Sequence, residues 1–366
     1  MKIAYVTLHW PRTKSSSIGK KIIRQTDAWR DQGHHVRFFS HLHTIKNEED
    51  LITGDRFFYP NDKGVIQREI GRMIAAKRLI NTVHAFQPDI IYLRWGMYTA
   101  PMRRIFTIAP VVLEINTNDK KEHRHLGAAL DIYNRLTRSI FLRSAKGMVF
   151  TSRELTRDPA FTPYIRKYEV IANGINLQDL PFYSAPKNST PHLIFIGTPG
   201  MAWHGLDELI RFAEINPDIV IDVVGSEQQD MRNPTPPNMN LFGYQQGLSL
   251  EKILANADAA IGSISLHLNE MKEASPFKIR DCAGRGIPCI LPYTDTDLSK
   301  VQSEAILQIP NTPDNLVKHS KLIRDFIFAM RGQRLERDLI ANRIDIRRKE
   351  QERVAFFQKI ANQNNG

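Results

Sequence analysis

Three short segments of the chain combine backbone flexibility with charge in a way that suits a phosphorylated ligand. In the first, residues 7–20, a short apolar run is followed by a serine-rich loop and then by a helical pattern that includes Gly19 and Lys20. Free backbone N–H groups and the positive end of a helix dipole favour an anion there. Taken alone, the loop is interpreted as an ordinary helix cap, because Ser-rich loops before helices usually are.

The second segment, residues 195–209 (FIGTPGMAWHGLDEL), places a glycine-containing loop between an apolar run and a helical pattern. Gly197 has no side chain, so backbone there can approach a ligand closely. His204 in the same loop can donate a hydrogen bond to a phosphate oxygen. The alternative interpretation is a flexible loop with a half-buried tryptophan.

The third segment, residues 273–288 (EASPFKIRDCAGRGIP), carries the most chemistry. Glu273 would precede a helix and Asp281 would lie just over one turn inside it, so two carboxylates flank the helix start. Carboxylates accept hydrogen bonds from sugar hydroxyls, while free N–H groups and the charge of Lys278 can take a diphosphate. Ala274, Ser275 and Pro276 would form the turn, and Phe277 would anchor the start of the helix. The alternative is a capped helix with ordinary surface charges.

Strand-like and helix-like segments alternate in both halves of the chain, which predicts two parallel sheets covered on both faces. We therefore expect an α/β protein with two Rossmann-like, doubly wound domains facing a cleft, and ligands at the carboxyl ends of the strands. The predicted domains are residues 1–177 and 192–344, joined by a Pro- and Ser-containing linker at 178–191. A helix at about 345–366 would be solvated or would pack back on the first domain.

Several segments, in the same order, resemble the GT-B glycosyltransferases of family 4. The mark of that family is Glu-x7-Glu followed by Ala-x-Gly-x-Pro, and here Glu273, Asp281 and the stretch 284–288 (GRGIP) take those places. The Ser-Pro-Phe-Lys version is similar to a branch found in bacterial surface-polysaccharide synthesis. Shorter similarities lie at 171–176 (IANGIN), 203–207 (WHGLD), 222–227 (DVVGSE), 240–243 (NLFG) and 256–258 (NAD).

The resemblance implies a role for each matching residue. Glu273 would contact the transferred sugar, Asp281 the ribose, and the turn at 275–278 the diphosphate. Gly243 and Tyr244 would lie near the base, and Gly19 would close over the phosphates.

The sequence departs from the family pattern at three places. Asp281 replaces a glutamate. Thr198 and His204 occupy the positions of a basic pair, so the positive charge would come from Lys278, Lys20 or Arg280. Asn116 stands where the family often has a histidine.

We therefore predict a retaining glycosyltransferase, a hexosyl- or N-acetylhexosaminyl-transferase, that uses a UDP- or GDP-linked sugar. The acceptor would be a glycan or a lipid-diphosphate-linked glycan, in surface-polysaccharide synthesis. Glu273, Lys278, His204 and Asn116 would be its catalytic residues, and no cofactor or metal is expected. The one Asp-x-Asp sequence, at 295–297, is interpreted as a helix cap. A non-catalytic GT-B-like binding subunit and a sugar-nucleotide 2-epimerase are the alternatives.

The charge of the chain is unevenly distributed. Residues 1–185 hold 29 lysines and arginines against 17 acids, whereas residues 186–366 hold 21 against 22. A basic first half favours an anionic partner, such as a phosphorylated substrate or an acidic membrane surface. No nucleic-acid-binding motif accompanies it, so nucleic acid is not expected as a partner. The chain has two cysteines, no apolar run long enough to span a bilayer and no signal-peptide pattern. We therefore predict a cytoplasmic protein that is peripheral to the inner membrane face.

Overall fold

The computed structural model describes residues 1–9, 12–14, 16–45, 47–123, 127–231 and 234–363. The chain divides into two compact units. Unit 1 comprises residues 1–172 together with 346–366, and unit 2 comprises residues 173–345.

Unit 1 is built on a parallel sheet of seven strands in the order β3-β2-β1-β4-β5-β6-β7. The strands are β1 Lys2–His9, β2 His35–His43, β3 Asp55–Tyr59, β4 Ile90–Arg94, β5 Val111–Ile115, β6 Gly147–Phe150 and β7 Tyr168–Val170. The strand order reverses between β1 and β4, so the carboxyl ends of these two strands mark the expected ligand side of the unit.

Helices cover both faces of this sheet, because successive side chains of each strand point to opposite sides and both sides are apolar. Ala4, Val6 and Leu8 of β1 pack toward one face, and Ile3 and Tyr5 toward the other. The helices are α1 Ser17–Asp31, α2 Val65–Phe86, α3 Asp119–His123, α4 Ala128–Ser144 and α5 Arg153–Arg157. A 3-10 segment, Ala100–Thr107, packs against both α2 and α4 on the first of these faces.

The last helix of the chain, α12 (Ile346–Asn362), returns to unit 1 and packs beside α1. Phe357 lies against Trp29 and Tyr92, with ring centroids 5.5 and 5.1 Å apart. Beneath it, Glu350 and Arg353 form a buried ion pair of 2.8 Å. Burial of an aromatic and a paired charge shows that this helix completes the core of unit 1.

Unit 2 repeats the plan with a six-stranded parallel sheet in the order β10-β9-β8-β11-β13-β15 and a two-stranded parallel pair, β12 with β14. Its strands are β8 His192–Ile196, β9 Val220–Val224, β10 Met239–Leu241, β11 Ala259–Ile261, β12 Glu273–Ala274, β13 Cys289–Leu291, β14 Thr294–Asp295 and β15 Ile306–Gln308. Its helices are α6 Leu206–Ile215, α7 Gly247–Ala255, α8 Phe277–Gly284, α9 Asn315–Lys318, α10 Ser320–Ala329 and α11 Arg337–Ile344. The order reverses at β8, between β9 and β11.

The predicted linker at 178–191 differs from the observed junction, since the chain passes from unit 1 to unit 2 between residues 172 and 173. Residues 177 and 180 are held to unit 2 because their carbonyls accept hydrogen bonds from Arg337. Tyr183 bonds to Glu251 and Arg285 in the same unit. A Pro- and Ser-containing segment without periodicity can thus be fixed by side chains that bind its backbone.

Two stretches whose sequence has a helical pattern throughout, residues 314–332 and 335–361, are each divided in the structure. Residues 314–332 form α9 and α10, and residues 335–361 form α11 and α12, which belong to different units. Among the described residues, no helix is long and apolar enough to cross a bilayer. Cys282 and Cys289 are both buried and are free thiols.

Candidate functional site

Three glycines bring the carboxyl ends of β8, β9 and β10 together in unit 2. The N–H of Gly225 donates to the carbonyl of Gly243 at 2.6 Å. A Cβ on Gly225, whose φ is +102°, would lie 2.3 Å from the carbonyl oxygen of Gly197. Only glycine fits such an approach of backbone to backbone. The predicted residues Gly197 and Gly243 therefore lie close together at the carboxyl ends of these strands.

The loop after β8 presents His204 as a neutral hydrogen-bond donor. Its Nδ1 accepts the backbone N–H of Thr198 at 2.9 Å, so the ring proton is assigned to Nε2. Burial, and then the charge of Lys278, lowers the pKa of His204 to about 4. His204 can therefore supply a hydrogen bond to a phosphate oxygen at neutral pH, but no positive charge.

Lys278, in the first turn of α8, supplies the charge. Its Nζ donates to Thr198 Oγ1 at 3.1 Å, and no described carboxylate pairs with it. Burial lowers its pKa to about 8. A partly desolvated ammonium with a single neutral partner is unfavourable until an anion arrives. A lysine in these surroundings can bind an anion.

The start of α8 is fixed by contacts with the beginning of unit 2. Pro276 is the N-cap, and no side chain caps the first N–H groups. Ser275 is buried; its Oγ accepts the N–H of Asn173 at 3.3 Å, and its carbonyl accepts Nδ2 of the same residue at 2.9 Å. The Ser275 side chain therefore positions the turn, while the backbone N–H groups at Phe277 and Lys278 remain the donors for a ligand.

The two predicted carboxylates have different surroundings. Glu273 is half-buried in β12, beside Thr294 of β14. Asp281 pairs with Arg285 Nε at 3.0 Å, and Arg285 also bonds Glu251 at 2.5 Å. Asp281 is thus already engaged, although 28% of its side chain is exposed.

The prediction that Arg280 supplies positive charge to a diphosphate is wrong. It is completely buried and pairs with Asp295 at 2.6 Å and Asp297 at 2.8 Å. Its Nη1 also donates to the carbonyl of Asn173 at 2.5 Å. Asp295 in turn accepts the N–H groups of Asp297 and Leu298 and so forms a turn before the 3-10 segment Leu298–Lys300, whose N-cap residue, Asp297, does not make the side-chain cap bond that the prediction of a helix cap required. The Asp-x-Asp sequence neutralises a buried guanidinium and shapes the loop that follows β14.

Two small pockets adjoin this arrangement. One lies between the ends of β8 and β11 and the start of α8, with Ser263, Pro276 and Lys278 among its lining residues. The other is lined by the loop after β8, including Thr198 and His204. Tyr244 is largely exposed beyond the end of β10. No described group of three or more His, Cys, Asp or Glu side chains is arranged for a metal ion.

Unit 1 has a second cluster at its strand ends, centred on Glu114 at the end of β5. Lys21 Nζ lies 2.6 Å from Glu114 Oε1 and 2.8 Å from Asn116 Oδ1. Arg94, at the end of β4, contacts Glu114 Oε2 at 3.2 Å. Although burial alone would raise the pKa of Glu114, Lys21 and Arg94 hold it well below its usual range. Asn116 is therefore oriented by a lysine that a buried carboxylate positions.

This second cluster carries more positive than negative charge. Burial, and then the nearby Arg94, lowers the pKa of Arg12 to about 10. The buried Nε of Arg12 has no hydrogen-bond partner. Lys21 and Arg94 contact Glu114, and Arg12 lies near enough for the charges of Arg94 and Glu114 to act on it, so three cations lie near one carboxylate. A buried excess of cations favours an anionic ligand.

At the predicted phosphate loop before α1, one serine caps the helix and Lys20 faces the solvent. Ser16 accepts the N–H of Gly19 at 3.0 Å and caps the helix, while Ser15 lies outside the described residues. A Cβ on Gly19 would lie 1.7 Å from the carbonyl oxygen of Thr13, which explains the glycine. Lys20 is exposed, and its neighbour Lys21 is the lysine that reaches the strand ends.

The sequence pattern did not indicate Arg12 or Arg94 as site residues, and it indicated Lys21, like Lys20, only as a charge that would reinforce phosphate binding by the loop at 7–20. Arg94 is the last residue of β4 and Arg12 follows β1, so both lie at the strand ends that flank the switch in strand order. Their positions at those carboxyl ends would have been the signal.

Comparisons with known proteins bear on both units. A family model described as Glycosyltransferase Family 4 matches residues 22–179, less than half of the chain. These residues lie mainly in unit 1, whereas most motifs that carried the resemblance lie in unit 2. No curated protein matches the sequence significantly.

Solved structures match over nearly the whole chain. Sucrose-phosphate synthase from Thermosynechococcus elongatus has a TM-score of 0.68 and 12% identity, with 98% of this chain and 99% of that chain covered. The lipopolysaccharide outer core galactosyltransferase WaaB gives 0.68 and 10%, with 98% and 100% covered. HepE of Anabaena, solved with UDP and glucose, gives 0.63 and 14%, with 98% and 99% covered. At such low identity the likeness shows the fold, and the predicted pair of GT-B-type α/β units is confirmed.

Proposed function

We propose that this protein is a retaining glycosyltransferase of the family-4 type that takes a hexosyl or N-acetylhexosaminyl group from a UDP- or GDP-linked sugar. The observation that carries the proposal is Lys278: a partly buried ammonium beside a helix start, with Thr198 as its neutral partner. A diphosphate is the ligand that best satisfies a point charge and several N–H donors at one place.

The proposed chemistry depends on stabilising the leaving group. The bond between the anomeric carbon and the diphosphate oxygen breaks, and a bond from that carbon to the acceptor oxygen forms. The diphosphate takes up the acceptor's proton. Lys278, the Nε2–H of His204 and the N–H groups at the start of α8 stabilise the charge that develops on the diphosphate. Glu273 holds hydroxyls of the transferred sugar.

The nucleoside part of the donor is assigned to the remaining residues of the same unit. Asp281 accepts from the ribose, with its orientation set by Arg285. Gly243 and the exposed Tyr244 lie on the base side. The binding of UDP and glucose by HepE and the fold shared with this chain support a sugar nucleotide as the ligand.

Unit 1 is assigned to the acceptor. The cation excess formed by Arg12, Lys21 and Arg94 suits a phosphate group, which supports a lipid-diphosphate-linked glycan in surface-polysaccharide synthesis. Asn116 contributes a polar contact beside these cations. Such an acceptor requires the protein to work at the cytoplasmic face of a membrane.

A thermal-shift panel of UDP-, GDP- and ADP-sugars tests the donor class. A ligand at about one hundred times its dissociation constant adds about 2.7 kcal/mol of stability. We expect a shift with UDP- or GDP-sugars that Lys278→Met reduces by about half or more. Lys252→Met, an exposed lysine of α7 in the same unit, is the matched control and should retain the shift.

Transfer to an acceptor is then measured with the sugar nucleotide that shifts, with and without a chelator, since transfer should not need a metal. Binding without transfer to any lipid-linked acceptor would favour a non-catalytic subunit. Conversion of the sugar nucleotide to its 2-epimer in the absence of acceptor would favour an epimerase. No shift with any nucleotide contradicts the proposal.

A further inference from the structure

The first half of α2 exposes apolar side chains that a helix of this length would ordinarily bury. Ile66, Ile70 and Ile74 are 76%, 54% and 47% exposed, and Met73 lies beside them. Their spacing of three and four residues places them on one face of the helix. The residues of α2 that reach the core begin only at Ala75. The exposed stripe is therefore distinct from the core-facing side.

A second helix on the same side of the sheet also exposes apolar side chains. In α4, Leu130, Ile132 and Leu136 are exposed, and Ile132 and Leu136, 57% and 74% exposed, lie four residues apart on one face. The 3-10 segment Ala100–Thr107 packs against both α2 and α4, and all three elements contribute to the same core cluster. We call the exposed side of these three elements the α2/α4 face. Exposed apolar side chains gathered on one side of a unit are typical of an interaction site.

The charges on the α2/α4 face are predominantly positive. Two acids occur in α2 and α4, and both are paired: Glu69 with Arg72 and Asp131 with Arg135. Exposed cations without an ion pair come from all three elements: Lys77, Arg78, Arg103, Arg104 and Arg143. Apolar side chains among Lys and Arg are the pattern of helices that lie in the surface of an anionic bilayer.

A second copy of this chain fits the face less well. In a symmetric pair the same face of each copy meets across the axis, so a predominantly positive surface would oppose another positive surface. Anionic lipid headgroups neutralise the cations, while the acyl region accepts the isoleucines and leucines.

We propose that unit 1 docks on an anionic lipid bilayer through the α2/α4 face. The docking deepens the proposed function, because it brings the protein to lipid-linked acceptors, but it needs neither donor nor acceptor to occur. Binding to lipid and transfer of sugar can therefore succeed or fail separately.

Co-sedimentation with vesicles tests the docking. The full chain should pellet with phosphatidylcholine vesicles that contain phosphatidylglycerol, and much less with phosphatidylcholine alone. Ile70→Glu with Ile74→Glu should weaken binding at least about tenfold, because both charges would enter the acyl boundary. Leu248→Glu with Leu322→Glu, at exposed positions of unit 2, is the matched control and should bind as the unchanged protein does. Arg103→Gln with Arg104→Gln should weaken binding to the anionic vesicles only.

Equal binding by the Ile70/Ile74 variant and its control would overturn the proposal. So would a dimer in solution that this variant dissociates while neither protein binds vesicles, since the face would then join two chains. Nucleotide-induced thermal shifts, which should not change in any of these variants, confirm that each protein is folded. Transfer to a water-soluble acceptor should also be unchanged, which separates failure of docking from failure of the proposed activity.

Discussion

Lys21 in unit 1 and Lys278 in unit 2 both lie near the start of a helix at the carboxyl ends of a parallel sheet. Burial lowers the pKa of each to about 8. Lys21 has a carboxylate at 2.6 Å and an amide oxygen at 2.8 Å. Lys278 has the hydroxyl of Thr198. The same pKa thus arises with an internal counter-charge in one unit and without one in the other.

The charge of Lys21 is thus balanced by a carboxylate inside the protein. The charge of Lys278 has no described carboxylate beside it and is available to a ligand. A buried cation beside a buried carboxylate depends on that carboxylate for its stability. A cation that lacks such a partner gains one only when an anion binds. We therefore expect substitutions in unit 1 to lower stability first, and substitutions at Lys278 to lower ligand affinity first.

The largest expected effect is that of Glu114→Gln. It leaves Lys21 and Arg94 buried without their counter-charge, which should lower the free energy of unfolding by about 3–5 kcal/mol. Chemical denaturation measures the loss. Glu169→Gln, at an exposed position of β7, should change stability by less than about 0.5 kcal/mol. A similarly small loss for Glu114→Gln would show that the cations of unit 1 do not depend on Glu114.

Lys278→Met should have the opposite profile. The free energy of unfolding should not fall, because the ammonium is partly desolvated and its single partner is a hydroxyl. Affinity for UDP should fall about ten- to a hundredfold, since a hydrogen bond to a charged group contributes about 1.5–3 kcal/mol. Titration calorimetry measures the affinity, and Lys252→Met serves again as the control. If Lys278→Met lowered the free energy of unfolding but not the affinity for UDP, Lys278 would be a structural cation, as Lys21 is.

The pH dependence sharpens the comparison further. Since burial lowers the pKa of Lys278 to about 8, its ammonium is lost as the pH rises through that value in the free protein. Affinity for UDP should therefore decline above about pH 8, by at most about tenfold per pH unit, until the pKa of the complex is reached. Lys278→Met should remove this decline. An unchanged decline in the variant would assign it to another group, such as Lys21.

The lowered pKa of Lys278 has the opposite effect on the stability of the protein without ligand. The folded pKa of Lys278 lies below the unfolded value of 10.5, so the unfolded chain binds more protons between the two. Its contribution to stability therefore rises with pH from about 8 to 10.5. Ligand affinity and unliganded stability should thus move in opposite directions over this range, and denaturation at several pH values checks the second.

The sequence predicted the parallel sheets well, because strands buried on both faces are nearly continuous apolar runs. The apolar run Val111–Ile115 coincides with β5, and the helical pattern Phe277–Gly284 coincides with α8. The edge strand Asp55–Tyr59 was missed, since it is short, half-buried and lacks a clear period. The junction was misplaced because the contacts that fix residues 177–183 come from Arg285 and Arg337, more than a hundred positions away.

The candidate site was predicted where local spacing determines it and missed where the partner is distant. The turn before α8 follows from residues 273–278 alone. The pairing of Arg280 with Asp295 and Asp297 depends on how a later loop folds back, so spacing could not exclude Arg280 as a phosphate ligand. Likewise, whether Lys20 or Lys21 reaches Glu114 depends on the rotation of α1 against β5.

The smallest expected effect is that of Asp281→Asn, which tests whether the carboxylate held by Arg285 still serves a ligand. The change keeps the shape of the side chain and removes its charge, and it should weaken binding of UDP by about 0.5–1.5 kcal/mol, because one hydrogen bond to ribose is weakened. Inorganic pyrophosphate has no ribose, so its affinity should be unchanged, and calorimetric titration of both ligands measures the difference. Equal losses for UDP and pyrophosphate would mean that Asp281 acts on the diphosphate side through the helix start, and the division of the site into a charged Lys278 side and a nucleoside side would be wrong.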